Sequence, residues 1–133
     1  MFRIHLVAIV VATLAVIAAS SSAYAAIADF EFQLVSPSVT QADTAIIAVR
    51  IVHRKTLEPV NDAIVFASRL DMEPDGMETM TAALEAAPGT EAGVYRFTAA
   101  LAMAGGWRLS LAAKIQGEEG TLQGRLVFQA VDQ

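Results

Sequence analysis

Two hydrophobic patterns divide the chain. Residues 6–19 form an almost unbroken apolar run, whereas beyond residue 26 apolar side chains recur at every second position in short runs bounded by turn residues. The second pattern has the period of a strand with one buried face, because successive side chains of extended backbone point to opposite sides. Residues 29–35 carry Phe30, Phe32 and Leu34 on one face, and residues 44–53 are rich in the β-branched types that pack well on a pleated surface. Residues 62–70 alternate Ile64, Phe66, Ser68 and Leu70 against Val65, Ala67 and Arg69. A weaker fourth strand covers residues 79–87, although residues 80–87 also have helix-forming composition. Tyr95, Phe97, Ala99 and Leu101 share a face of residues 93–101. Trp107, Leu109, Leu111, Ala113 and Ile115 share one of residues 107–115, with Arg108, Ser110 and Lys114 opposite. Residues 121–131 turn Leu122, Leu126, Phe128 and Ala130 inward. Breaks at Ser36-Pro37-Ser38, residues 57–61, Pro88-Gly89-Thr90 and Gly117-Glu118-Glu119-Gly120 separate these runs. The pattern predicts an all-β, immunoglobulin-like antiparallel β-sandwich of about seven strands, forming one domain over residues 26–133.

The first apolar run has a different meaning. Met1-Phe2-Arg3-Ile4-His5 gives it a positive start, and residues 20–25 close it with small residues of the A-x-A type. This is the layout of a secretory signal peptide, and the run is shorter than the ~20 apolar residues that span a bilayer. Residues 1–25 are therefore expected to be a signal peptide helix cleaved after Ala25, with an uncleaved anchor as the alternative. The expected location is periplasmic or secreted, with no membrane attachment once the leader is removed.

The chain has 133 residues, no cysteine and a formal charge of −5. Disulfides and thiol redox chemistry are thereby excluded, so apolar burial must hold the fold. An acidic balance also argues against nucleic acid and other phosphate-rich partners.

Candidate chemistry is sparse. His53 is the only histidine beyond the leader. It reads as a surface residue at a strand end or, alternatively, as a metal ligand. No nucleophile with an adjacent base is visible, and short sandwich loops leave little room for a cleft, so no enzymatic activity is expected. The stretch DMEPDGMETM, residues 71–80, imitates the first half of a calcium loop in Asp71-x-Glu73-x-Asp75-Gly76. Its second half fails, because Ala82 stands where a bidentate Glu is needed and Pro74 interrupts. The carboxylates then read as keeping the loop solvated. Met72, Met77 and Met80 fall within or at the end of this stretch, and Met103 begins Met103-Ala104-Gly105-Gly106-Trp107. Thioether sulfur is soft and neutral and selects Cu(I) over Zn²⁺, Ca²⁺ or Mg²⁺. The plain alternative makes Met72 and Met103 gap-fillers in phase with Leu70 and Leu101, a reading that suits Met77 and Met80 less well.

Glu91-Ala92-Gly93-Val94-Tyr95 resembles the acid-x-Gly-x-Tyr signature of a tyrosine corner, although it falls on the fifth predicted strand and not the sixth. The order of the methionine loop, Gly93-Val94-Tyr95-Arg96-Phe97 and Met103-Ala104-Gly105-Gly106-Trp107-Arg108-Leu109 resembles the YtkA-like or FixH-like domains of bacterial exported proteins. The likeness spans about residues 30–130. It implies an immunoglobulin-like sandwich in the periplasm or at the cell surface, associated with copper: supply to a respiratory oxidase, or an accessory role beside a metal efflux pump. On that resemblance Met72, Met77, Met80 and Met103 are the candidate Cu(I) ligands, and Gly106 and Trp107 form the structural turn and core anchor. Gly93 and Tyr95 are the structural pair of the corner, and His53 is a further donor for the ion. Glu78 and Thr79 stand where many relatives carry a loop histidine, and M-A-G-G-W has one residue more than the family motif. The competing expectation is a metal-free interaction module whose acidic, methionine-dotted loop docks a periplasmic efflux or oxidase-assembly protein.

Overall fold

The structure, a computed structural model, describes residues 26–89 and 91–133, so the leader lies outside the described residues. Nine strands follow one another: β1 (Phe30–Leu34), β2 (Ser38–Thr40), β3 (Ala45–His53), β4 (Ala63–Met72), β5 (Met77–Ala82), β6 (Leu84–Ala87), β7 (Val94–Ala99), β8 (Gly105–Ile115) and β9 (Leu122–Val131). No α-helix occurs among the described residues. The strands form two sheets, ordered β1-β3-β7-β6 and β2-β9-β8-β4-β5. Lettered along the chain these are ABED and A′GFCC′, the immunoglobulin arrangement with an added C′ strand.

The core lies between the sheets and follows the sequence alternation. Phe30, Phe32, Ile47, Val49, Ile51 and Phe97 enter from the four-stranded sheet. Leu70, Trp107, Leu109, Leu111, Ala113 and Phe128 enter from the five-stranded one. Each fully buried Leu or Ile stabilises the fold by about 1.5–3 kcal/mol relative to leaving it in water. Trp107 places its ring in this core while its indole N–H donates to the Met103 carbonyl at 3.0 Å, so its one polar atom is satisfied.

Three local features depart from the alternation. Residues Ser38–Thr40, beginning at the last residue of the expected Ser36-Pro37-Ser38 break and assigned to no strand by the alternation, pair in parallel with β9, so the second sheet is not purely antiparallel. The expected fourth strand is two strands: the chain leaves β4 after Ala82 and joins β7 at Leu84, crossing between sheets at Ala83. Its helix-forming composition is overridden because Met77, Ala82 and Leu84 pack against the core. The third departure is a β-bulge. Val65 pairs with Ala113 and Ala67 with Ala112, leaving Phe66 as an inserted residue. The insertion reverses the phase of β4, so Ile64 and Phe66 face solvent at 68% and 57% exposure while Leu70 faces the core. The four residues expected on one face thus divide between two.

Candidate functional site

The methionine loop is a compact turn. β4 runs into a 3-10 turn, Glu73–Asp75, which carries Pro74 early and closes on Gly76 in the left-handed conformation at φ 75°. That closure sets Met77 opposite Met72 in the β4–β5 pair. Met72 is completely buried, and Met77 is half-buried against the core. Met80 is 39% exposed and, by alternation, lies on the same side of β5 as core-packed Ala82. Met103, 38% exposed, belongs to the β7–β8 connection. The end of the Met72 side chain lies beneath that connection, since a Cβ on Gly105 would sit 3.0 Å from its methyl carbon. All four methionines therefore gather at one end of the sandwich.

His53 is at the other end. Ala45 of β3 pairs with Ala99 beside the methionine end, and His53 pairs with Phe30 at the far end of the same strand. Nine residues of extended chain separate those ends by about 26 Å. Nδ1 of His53 accepts the backbone N–H groups of Lys55 at 3.3 Å and Thr56 at 3.4 Å, and its ring meets Phe30 edge-on at 5.5 Å. The structure sets Met72, Met77, Met80 and Met103 on elements that meet at one end of the sandwich and leaves the imidazole at the other.

Two carboxylates, one buried and one exposed, fasten the methionine end. Asp71 is completely buried, and its Oδ2 accepts from Arg108 at 3.0 Å and Arg69 at 3.1 Å, while Oδ1 accepts the Glu73 N–H at 3.0 Å. Burial pushes the Asp71 carboxyl up, but the bonds from Arg108, the Glu73 amide and Arg69 outweigh it and hold its pKa below the ordinary value. Arg69 also donates to the Glu78 carbonyl at 3.0 Å, which ties β5 to β4. Asp75 accepts the Gly106 N–H at 3.0 Å, so the turn rests on the start of β8. Glycine is required there: a Cβ on Gly106 would come within 2.9 Å of Pro74 Cβ and 3.0 Å of Asp75 Oδ1. The expectation that the loop carboxylates serve solvation holds for exposed Glu73 and Glu78 and fails for buried Asp71, while exposed Asp75 both meets solvent and holds the turn. The sequence carries a signal for the Asp71 pairing, an acid one residue past inward Leu70 and a base, Arg108, on the outward face of a later strand. Among the described residues, no three His, Asp or Glu side chains group so as to hold a metal ion.

The opposite end is fastened by a phenol. Tyr95 Oη donates to the Val60 carbonyl at 2.7 Å and accepts the Ala63 N–H at 3.0 Å, closing the β3–β4 connection. Gly93, at φ 73°, lets that connection approach, because a Cβ there would collide with Pro59. The corner is real but stands on the E strand and not on F, and Trp107 stands on F and not on C. Burial, with Asp62 nearby, raises the Tyr95 pKa.

The strand order and the two fastened ends define an immunoglobulin-like β-sandwich that presents methionines at one end. The YtkA-like family matches residues 24–112, from before β1 into β8, and the chain belongs to that family. A comparison with curated proteins gives no match.

Proposed function

We propose that the protein is an exported copper-handling module, without enzymatic activity, that holds Cu(I) through the thioethers of Met77, Met80 and Met103. Completely buried Met72 forms the floor beneath them. The observation that carries this reading is the convergence of β4, β5 and the β7–β8 connection on one methionine-bearing end. The donor set suits the ion: neutral soft sulfur holds Cu(I) without a deprotonation step. Met80 and Met103 are open enough for an ion to enter and leave, which suits transfer to a periplasmic metal-efflux or oxidase-assembly protein. His53 has no part in the set.

Anaerobic competition against a chromogenic Cu(I) chelator tests the reading. The protein is expected to withdraw copper from the chelator, and Met80→Leu with Met103→Leu is expected to weaken that withdrawal by at least about tenfold. Undiminished competition by the double variant would overturn it.

A second reading has one observation in its favour: Met80 and Met103 are exposed near exposed Glu73 and Glu78, an adaptable surface for docking a partner without metal. A partner retained in the presence of chelator but lost on Glu73→Lys with Glu78→Lys would favour it. Asp75 is unsuitable for that test because it holds the turn.

A further inference from the structure

The outer face of the five-stranded sheet carries a feature unrelated to the methionines. Across β9, β8 and β4 the register places Arg125, Ser110 and Arg69 in one row, and Gln123, Ala112 and Ala67 in the next. Short side chains on the central strand between long ones hollow the face into an open trough of about 470 Å³. In a chain of net charge −5, the trough is cationic. Asp71, Glu73 and Glu78 stand near Arg108 at one end of this face. Further along, the outward strand residues include Arg69, Arg125 and Lys114 and no carboxylate.

The two arginines differ usefully. Nε of Arg69 is held by Asp71 and Nη2 by the Glu78 carbonyl, which fixes the guanidinium and leaves Nη1 for another acceptor. Arg125 forms no ion pair among the described residues. Two strand spacings put their Cα atoms about 10 Å apart on either side of Ser110. Phe66, brought to this face by the bulge, and Val127, 52% exposed, supply apolar ground beside them. The bulge also spoils the free edge of β4 for strand addition, so an occupant meets the face and not the edge.

We infer that this trough docks an acidic, extended peptide segment of a partner protein, its carboxylates taken by Arg69 and Arg125 and its apolar residues by Phe66 and Val127. The occupant follows from charge complementarity, since guanidinium groups receive carboxylates through paired N–H bonds. An open trough also suits an extended chain better than a small molecule, which needs an enclosing pocket.

Fluorescence anisotropy at low salt tests this with two labelled peptides, one carrying Glu and Val in turn at every second position with Ser between, the other Lys and Val in the same places, so that both residue types share one side of the extended chain. Saturable binding is expected, weakening with salt and absent for the Lys–Val peptide. Arg125→Glu and Ser110→Glu are each expected to weaken it by about tenfold, with Trp107 emission unchanged to show that the core is intact. Arg54→Glu, the same charge change beside β1, is expected to leave the affinity within about twofold. Absence of binding, or an equal loss in Arg54→Glu, would overturn the inference. So would a protein dimer that Arg125→Glu dissolves, because the occupant would then be a second copy.

Discussion

At one end of the sandwich a phenol holds the β3–β4 connection, and at the other two carboxylates hold the β4–β5 turn. Both ends must satisfy backbone and close the gap between the sheets. Tyr95 does so with two neutral hydrogen bonds, and the nearby His53 spends its Nδ1 on its own turn. Buried Asp71 does so from beneath and exposed Asp75 from the turn itself, which fixes the turn while Met80 and Met103 stay partly in solvent. The difference separates anchoring from presentation: the methionine end uses one set of side chains to hold the loop and another to face outward.

The two anchors also respond to opposite extremes of pH. Asp71 has a native pKa below its ordinary 3.8, so its contribution is present above that value and is lost as pH falls from there through the native value. Tyr95 has a native pKa above its ordinary 10.0, so its contribution is complete below that value and is lost as pH rises through the higher one. Acid loosens the methionine end, and alkali loosens the other.

The largest effect is expected from Asp71→Asn, which leaves two guanidinium groups without their shared anion. A loss of about 2 kcal/mol in urea unfolding is expected, at the low end for a buried ion pair because Arg69 is half exposed to screening solvent. Stability measured below about pH 4 should then vary less steeply with pH than in the parent. Gly106→Ala follows, with about 1–2 kcal/mol lost as the turn is pushed off β8. Its diagnostic is weaker copper withdrawal from a chelator with the alkaline limb of the stability curve unchanged. Tyr95→Phe should cost about 1 kcal/mol, flatten stability above about pH 10 and leave copper affinity alone. The smallest effect belongs to His53→Ala, about 0.5 kcal/mol and no change in copper affinity. A tenfold loss of affinity there would erase the contrast between the ends.

Local alternation made most of the fold legible. β8 reads directly from Trp107, Leu109, Leu111, Ala113 and Ile115, because each strand residue has only two sides to choose from. What stayed hidden depends on neighbours distant in sequence. The short β2 exists because β9 accepts it, and β5 and β6 divide because Ala82 and Leu84 pair with different sheets. The bulge at Phe66 appears only once β4 is set against β8. At the site, the nearness of Met72, Met77 and Met80 along the chain was visible from spacing, and the placing of His53 at the far end was not, since strand direction decides which end it reaches. Asp71 was misread because an acid in a turn-rich stretch looks solvated until its cationic partners are placed beside it.

The central claim, that thioethers of one end hold the ion and the imidazole of the other does not, is tested most directly by X-ray absorption at the copper edge of the Cu(I)-loaded protein. A first shell of sulfur alone, changed by Met80→Leu with Met103→Leu and unchanged by His53→Ala, is the predicted result. An imidazole signature in the first shell that disappears with His53→Ala would contradict it.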